Sequence, residues 1–174
     1  MATIPEKLKQ RGIYFVLIER GSKTPFQKKW QEKKMEFDDP ELLQHLAIGG
    51  NYGVMGGGEK KLIVVDFDNL DVQEKVAQQM PETFTVLTGG KGMFHKYFFT
   101  NRTESYKIRD KEGKTLADVQ CEGKQVIGAG SLHESGREYK VVDDKDIGLT
   151  TAEVVDIKEL GLDDTVVVGF KDTG

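Results

Sequence analysis

Leu62-Ile63-Val64-Val65-Asp66-Phe67-Asp68 is an unbroken apolar run that ends on two carboxylates one residue apart. Side chains of a strand alternate between its faces, so positions 62, 64, 66 and 68 share one side and 63, 65 and 67 the other. Apolar residues on both sides describe a strand with both faces covered. Asp66 and Asp68 then leave that strand on one face. Paired carboxylates in such a setting cost free energy unless protonated or matched by cations, and a divalent ion is the usual match. A strand end fraying into solvent, with Asp68-Asn69 opening a turn, would read the same way.

Upstream of this strand, the pattern predicts a helix over Ile4–Arg11 stopped by Gly12, then a strand over 13–18 and a polar loop over 20–25. A basic, irregular segment surrounds Trp30. A helix follows from Pro40 to about Ala47, capped by Asp38 or Asp39 and ended by Gly49-Gly50, and then a short strand at Tyr52–Met55. Downstream, a helix runs from about Leu70 to Gln79 and stops at Met80-Pro81. Strands are expected at 83–87, 94–99, 115–119, 124–128 and 138–142, with glycine-bearing turns between them. The tail offers an amphipathic helix near Thr151–Leu160 and an apolar stretch, Val166-Val167-Val168. Many strands with a few flanking helices predict an α+β fold around a mixed sheet. We expect one domain over residues 1–174, with its core at about 12–142 and a C-terminal helix and tail at about 143–174.

A chain of 174 residues has room for one real core. No apolar run approaches the roughly 20 residues that span a bilayer, so no membrane partner is expected. Met1–Arg11 lacks the apolar centre of a signal peptide, which points to the cytoplasm. The single cysteine, Cys121, excludes an internal disulfide framework and a cysteine-rich zinc site. A net charge of −4 argues weakly against nucleic acid as a partner, but its distribution argues the other way. Residues 1–34 carry nine Lys/Arg against three Glu, whereas residues 134–174 carry five basic and eleven acidic residues. Such polarity can offer phosphates a basic face. Lys23, Lys28, Lys29, Lys33 and Lys34 are the candidates, with Trp30 either packed in the core or offered to a base. Arg102, Lys107, Arg109 and Lys111 form a second candidate path, and a scatter of solvated charges is the plain alternative.

Three further segments carry chemistry. Thr88-Gly89-Gly90-Lys91-Gly92-Met93-Phe94-His95 joins two strands, and its glycines allow a tight turn and close approach to a ligand. Free N–H groups in such a loop form an anion-binding nest, with Lys91 and His95 as added donors; a flexible hairpin is the bland reading. Asp118 is an acid inside an apolar strand, either an outward-facing edge residue or the third carboxylate of a site with Asp66 and Asp68. Finally, Gln125-Val126-Ile127-Gly128-Ala129-Gly130-Ser131-Leu132-His133 runs from a strand through a glycine turn into Ser-x-His, which can meet a phosphate or a base.

The order of these segments resembles the prim-pol branch of the archaeo-eukaryotic primase superfamily. The likeness runs from about Gly12 to Tyr139 and includes Lys23-Thr24-Pro25 before Trp30 and Asn51-Tyr52-Gly53-Val54 leading into Asp66. It implies a primase-like fold, with an RRM-like catalytic unit and an N-terminal αβ module. By the same likeness, Asp66, Asp68 and Asp118 are catalytic and hold two Mg²⁺ or Mn²⁺ ions, since hard carboxylate ligands suit those ions better than zinc. His95 would contact the triphosphate, with Gly90, Lys91, Ser131 and His133 lining the nucleotide pocket. The implied reaction is attack of a primer or initiating hydroxyl on the α-phosphate of a nucleoside triphosphate. DNA template and primer, nucleoside triphosphates and a helicase or accessory replication domain are the implied partners. The chain departs from the usual pattern by one extra residue before His95 and by Gly-Ala-Gly-Ser at 128–131, where the family usually has a proline pair.

Two alternatives use the same residues. Val64-Val65-Asp66-Phe67-Asp68-Asn69 is also similar to the first motif of haloacid-dehalogenase-type phosphatases, in which the first Asp is a nucleophile. Leu70 stands where those enzymes carry Thr, and the strands after residue 83 look like hairpins rather than βαβ units. A catalytically degenerate nucleic-acid-binding module is the other alternative. It would gain little from carboxylates clustered beside a phosphate path.

Overall fold

The computed structural model describes residues 1–100, 104–110 and 112–149, and the backbone of a strand at Val167–Phe170. The decisive stretch is a strand, β3 (Leu62–Phe67), with neighbours on both edges. Before it come β1 (Phe15–Ile18) and β2 (Asn51–Met55). After it come β4 (Thr85–Leu87), β5 (Phe94–Phe99), β6 (Tyr106–Arg109), β7 (Thr115–Gln120), β8 (Gln125–Ile127), β9 (Lys140–Asp143), β10 (Gly148–Leu149) and β11 (Val167–Phe170). Eight of these strands make one sheet in the order β11-β6-β7-β3-β5-β4-β9, with β10 paired to β5. The other three make a second sheet in the order β1-β2-β8.

Pleating divides β3 as its sequence predicts. Ile63, Val65 and Phe67 enter a cluster with Phe98, Ile108 and Val119, covered by Val76 of the helix α2 (Leu70–Ala77). Leu62 and Val64 enter the opposite cluster, where Tyr97 and Val86 meet Phe15, Tyr52 and Ile127 of the smaller sheet. Each fully buried side chain of this size contributes about 1.5–3 kcal/mol, so both faces are firmly anchored. The helix α1 (Pro40–Ala47) begins with proline, where its missing N–H costs nothing. The Asp39 carboxylate caps it by accepting from Glu41 N, and Leu42 and Leu46 point inward. Asn69 caps α2 by accepting from Val72 N at 3.1 Å, immediately after Asp68.

Strands with two α-helices among the described residues fit the expected α+β class. Several elements differ in detail. Ile4–Arg11 holds only a 3₁₀ turn at Glu6–Leu8, with Ile4 and Leu8 buried in the core. β4 starts two residues late, since the Thr83 hydroxyl is turned to Tyr97 O and donates to it. β6 was not expected; its polar residues alternate with Tyr106 and Ile108, and pairing with β7 makes it a strand. The large sheet is mixed only through β10, parallel to β5. β3 is antiparallel to both β5 and β7, which is not the parallel alternation that the phosphatase reading needs. The expected helix at Thr151–Leu160 lies outside the described residues, as do Arg102 and Lys111. No helix among the described residues is long and apolar enough to cross a membrane.

Candidate active site

The register of the large sheet sets four titratable side chains in one row. Asp66 of β3 stands opposite Asp118 of β7 and His95 of β5, and Asp118 in turn opposes Lys107 of β6. Directly opposed residues of antiparallel strands project on the same face, here the one turned toward the smaller sheet. Two adjacent carboxylates in this position repel, and each meets a basic group at the outer end of the row. His95 Nε2 lies 3.2 Å from Asp66 Oδ1, and Lys107 Nζ lies 3.5 Å from Asp118 Oδ1. Asp68 N donates to Leu116 O at 2.9 Å, extending the ladder one residue past β3 and keeping Asp66 and Asp68 in step. Burial, and then the Asp66 charge, raises the Asp68 carboxyl above the usual carboxylate range. Burial raises Asp118 as well, opposed by the Lys107 ammonium.

Asp66, Asp68 and His95 line a cleft of about 640 Å³, a volume in the range of small-ligand sites. Gln125, Val126 and Ile127 of β8 border the same cleft from the smaller sheet. Gly90 and Lys91 also line it, on the hairpin closed by Thr88 N donating to Met93 O at 2.9 Å. The backbone N–H groups of Gly90 and Lys91, which border the cleft, make no hydrogen bond among the described residues and can serve an anion there. Gly92, at φ +80°, needs the freedom of glycine. One carboxamide fixes the far end of this loop: Gln73 Nε2 donates to Gly92 O at 3.0 Å, and Gln73 Oε1 accepts from Phe94 N at 2.8 Å. Through Gln73, the loop is tied to the helix that starts beside Asp68.

Ser131 does not line the cleft. It is fully buried, and its hydroxyl accepts from Tyr52 N at 3.2 Å, joining the 128–131 turn to β2. Ser131, expected to meet a ligand, thus stands behind the cleft wall and not on it. His133 does line the cleft. Its Nδ1 accepts from Ser135 N at 3.0 Å, which requires a lone pair there and puts the proton on Nε2. Burial, and then the Lys23 charge, lowers the His133 pKa, in keeping with a neutral ring. A side chain on Gly89 would fall into the His133 ring, and Ser135 Oγ donates to Gly89 O at 2.7 Å, so loop and turn are packed together. Tyr139 completes this wall. His95 is nearly buried, and its Nδ1 has no hydrogen-bond partner among the described residues. An orphaned buried nitrogen costs roughly 1–3 kcal/mol, and such atoms mark functional sites.

The five candidate lysines are not brought together. Lys23 lines the cleft and lies 3.6 Å from Glu134. Lys33 and Lys34 border a separate pocket of about 410 Å³ with Tyr14, Glu59 and Glu122. Lys28 and Lys29 are exposed and border neither pocket. Trp30 is half-buried and packs against the core. Sequence reasoning missed Gln73, Lys114 and Tyr139 as parts of this site. Gln73 gave one signal, as a polar residue one turn from Val76 on the buried stripe of α2.

As ligands for Mg²⁺ or Mn²⁺, Asp66 and Asp68 suit by donor chemistry: hard oxygens, both on the cleft, the charge of one raising the pKa of the other. Asp118 is engaged by Lys107 and does not border the cleft, and no group of three His, Cys, Asp or Glu is gathered for an ion among the described residues.

Two carboxylates and a glycine loop thus border one cleft between the two sheets. The family model of the bifunctional DNA primase/polymerase N-terminal domain matches residues 6–160, and the chain belongs to this Prim-Pol family. Membership points to DNA primase or DNA polymerase activity. The match takes in every site residue described above, from Lys23 to Tyr139. No curated protein matches the chain.

Proposed function

We propose that this chain is a metal-dependent nucleotidyltransferase that extends or starts nucleic-acid chains on a DNA template from nucleoside triphosphates. The observation that carries this reading is that one cleft is bordered both by Asp66 and Asp68 and by Gly90 and Lys91 of the glycine loop, whose backbone N–H groups have no partner among the described residues. A triphosphate needs cationic or N–H donors along its chain and carboxylate-held cations at its reacting phosphate. In this proposal Asp66 and Asp68 would hold Mg²⁺ or Mn²⁺, and Asp118 would join them as third carboxylate only on leaving Lys107. When bound, such ions supply Lewis-acid stabilisation of the attacking and leaving oxygens. Lys91, the loop amides and His95 bind the triphosphate, and the Nε2–H of His133 donates to it from the opposite wall. Lys23 and Lys114, at the border of the cleft, are suited to the primer or template backbone.

Primer extension and unprimed synthesis, each with deoxy- and ribonucleotides in Mg²⁺ and in Mn²⁺, test the proposal. Wild type incorporates nucleotides in at least one condition. Asp66→Asn keeps the fold and falls below about a tenth of wild-type incorporation, because a ligand used at the reacting phosphate is lost. Incorporation above that level by the variant would remove Asp66 from the chemistry.

A further inference from the structure

The hydroxyl expected of Ser131 is locked in the core, and a different hydroxyl stands in the cleft. Tyr139 is 4% exposed yet borders the cleft. Its backbone is fixed on both sides, with Tyr139 N donating to Ser131 O at 2.9 Å and Gly130 N donating to Tyr139 O at 2.7 Å. Its ring is wedged between two imidazoles, with centroids 6.2 Å from His95 and 5.6 Å from His133. Among the described residues the phenol makes no hydrogen bond, and it is not one of the polar atoms sealed away from solvent. It therefore opens to the cleft. A phenol is protonated near neutral pH, so it acts as a donor there.

The neighbours of that phenol decide what it can meet. His133 offers an Nε2–H, Gly90 and Lys91 offer backbone amides without a partner among the described residues, and Lys91 offers an ammonium. Across the cleft from the Asp66 and Asp68 carboxylates, this group of donors suits anionic oxygens, whereas a sugar hydroxyl, being donor and acceptor at once, gains less from it. We propose that the Tyr139 O–H donates to a phosphate oxygen of the incoming nucleoside triphosphate, so that Tyr139 is a binding residue for the polyphosphate chain. The inference rests on the nucleotidyltransferase reading and adds a residue to it.

Tyr139→Phe removes one oxygen and keeps the ring between its imidazoles, so the melting temperature should stay within about 2 °C of wild type. Calorimetric titration with inorganic tripolyphosphate and with a non-hydrolysable deoxynucleoside triphosphate then reads the contact directly. Both affinities should fall about tenfold, as for a hydrogen bond to a charged group, and the KM for nucleotide should rise by about the same factor with kcat within about twofold. Equal tripolyphosphate binding by variant and wild type overturns the inference. Loss of nucleotide affinity alone also overturns it, because the contact would then be to sugar or base. Should the variant melt early, 3-fluorotyrosine at position 139 gives a second reading: a stronger donor of nearly the same shape should tighten tripolyphosphate binding, and unchanged affinity refutes the proposal. A wild-type protein that incorporates no nucleotide would overturn the functional reading itself; an active enzyme indifferent to Tyr139→Phe overturns only this residue's part.

Discussion

Two glycine runs in this chain look alike and behave in opposite ways. In Gly56-Gly57-Gly58 the protein itself occupies the space that side chains would need. A Cβ on Gly56 would fall into the backbone of Cys121, one on Gly57 into Glu122, and one on Gly58 within 2.7 Å of Gly12 O. In Gly89-Gly90-Lys91-Gly92 only Gly89 is pressed in this way. Gly90 has its nearest neighbours at 3.8 Å and faces the cleft. The first run lets two backbones touch; the second keeps a volume open. Glycine content alone does not tell a packing device from a binding device. What opposes the missing Cβ does.

Substitution is the direct way to break that contrast. Gly56→Ala forces a methyl into backbone that cannot yield, and should cost about 3 kcal/mol, or roughly 6–12 °C in melting temperature for a chain of this length. Denaturant titration measures it, and a loss under about 1 kcal/mol would show that the Cys121 segment gives way. Gly90→Ala should leave stability within about 0.5 kcal/mol of wild type while raising the KM for nucleotide several-fold, since its methyl enters the cleft beside His133. A stability loss as large as that of Gly56→Ala would erase the distinction. The smallest effect sharpens it from the opposite wall. Asp68 has its pKa raised by burial and by Asp66, so the folded state holds this proton more tightly than the unfolded chain does. Its ionisation therefore removes stability as pH rises past the unfolded carboxylate pKa of about 4. In metal-free buffer Asp68→Asn should melt slightly above wild type at pH 7, and the gap should close toward pH 4. A variant less stable than wild type at pH 7 would reverse the sign and imply that Asp68 has a cationic partner in the folded state.

Much of this was legible in the residues. The strand at 62–67 and its alternating faces follow from pleat and polarity alone, and an Asp38 or Asp39 cap before Pro40 marks where α1 begins. The glycine loop and His133 reach the cleft as their chemistry suggests. Register was not legible. Nothing in the chain announces that Asp66, Asp118, His95 and Lys107 fall in one row, because strand pairing is decided by contacts across dozens of residues. The same blindness hid β6, and with it the Lys107 ion pair. Ser131 and Tyr139 could not be told apart for a related reason. Each is a hydroxyl near a glycine turn, and only the approach of β2 decides which is buried without access and which opens to the ligand space.

The order in which the smaller sheet is assembled has a consequence for biogenesis. β2 must wait for β8, with Gly53 paired to Ile127, while β3 to β7 lie between them in the chain. On a ribosome, the carboxylate strand and its hairpins can therefore pair before the cleft has its second wall. Until residue 127 emerges, one edge of β2 stands unpaired, and an open edge of this kind invites intermolecular pairing. Closure across so long a loop belongs to the slow class of folding events, milliseconds to seconds. Newly made chains should therefore pass through a stage in which the acidic half of the site exists, its far wall does not, and the exposed edge is the point most in need of a chaperone.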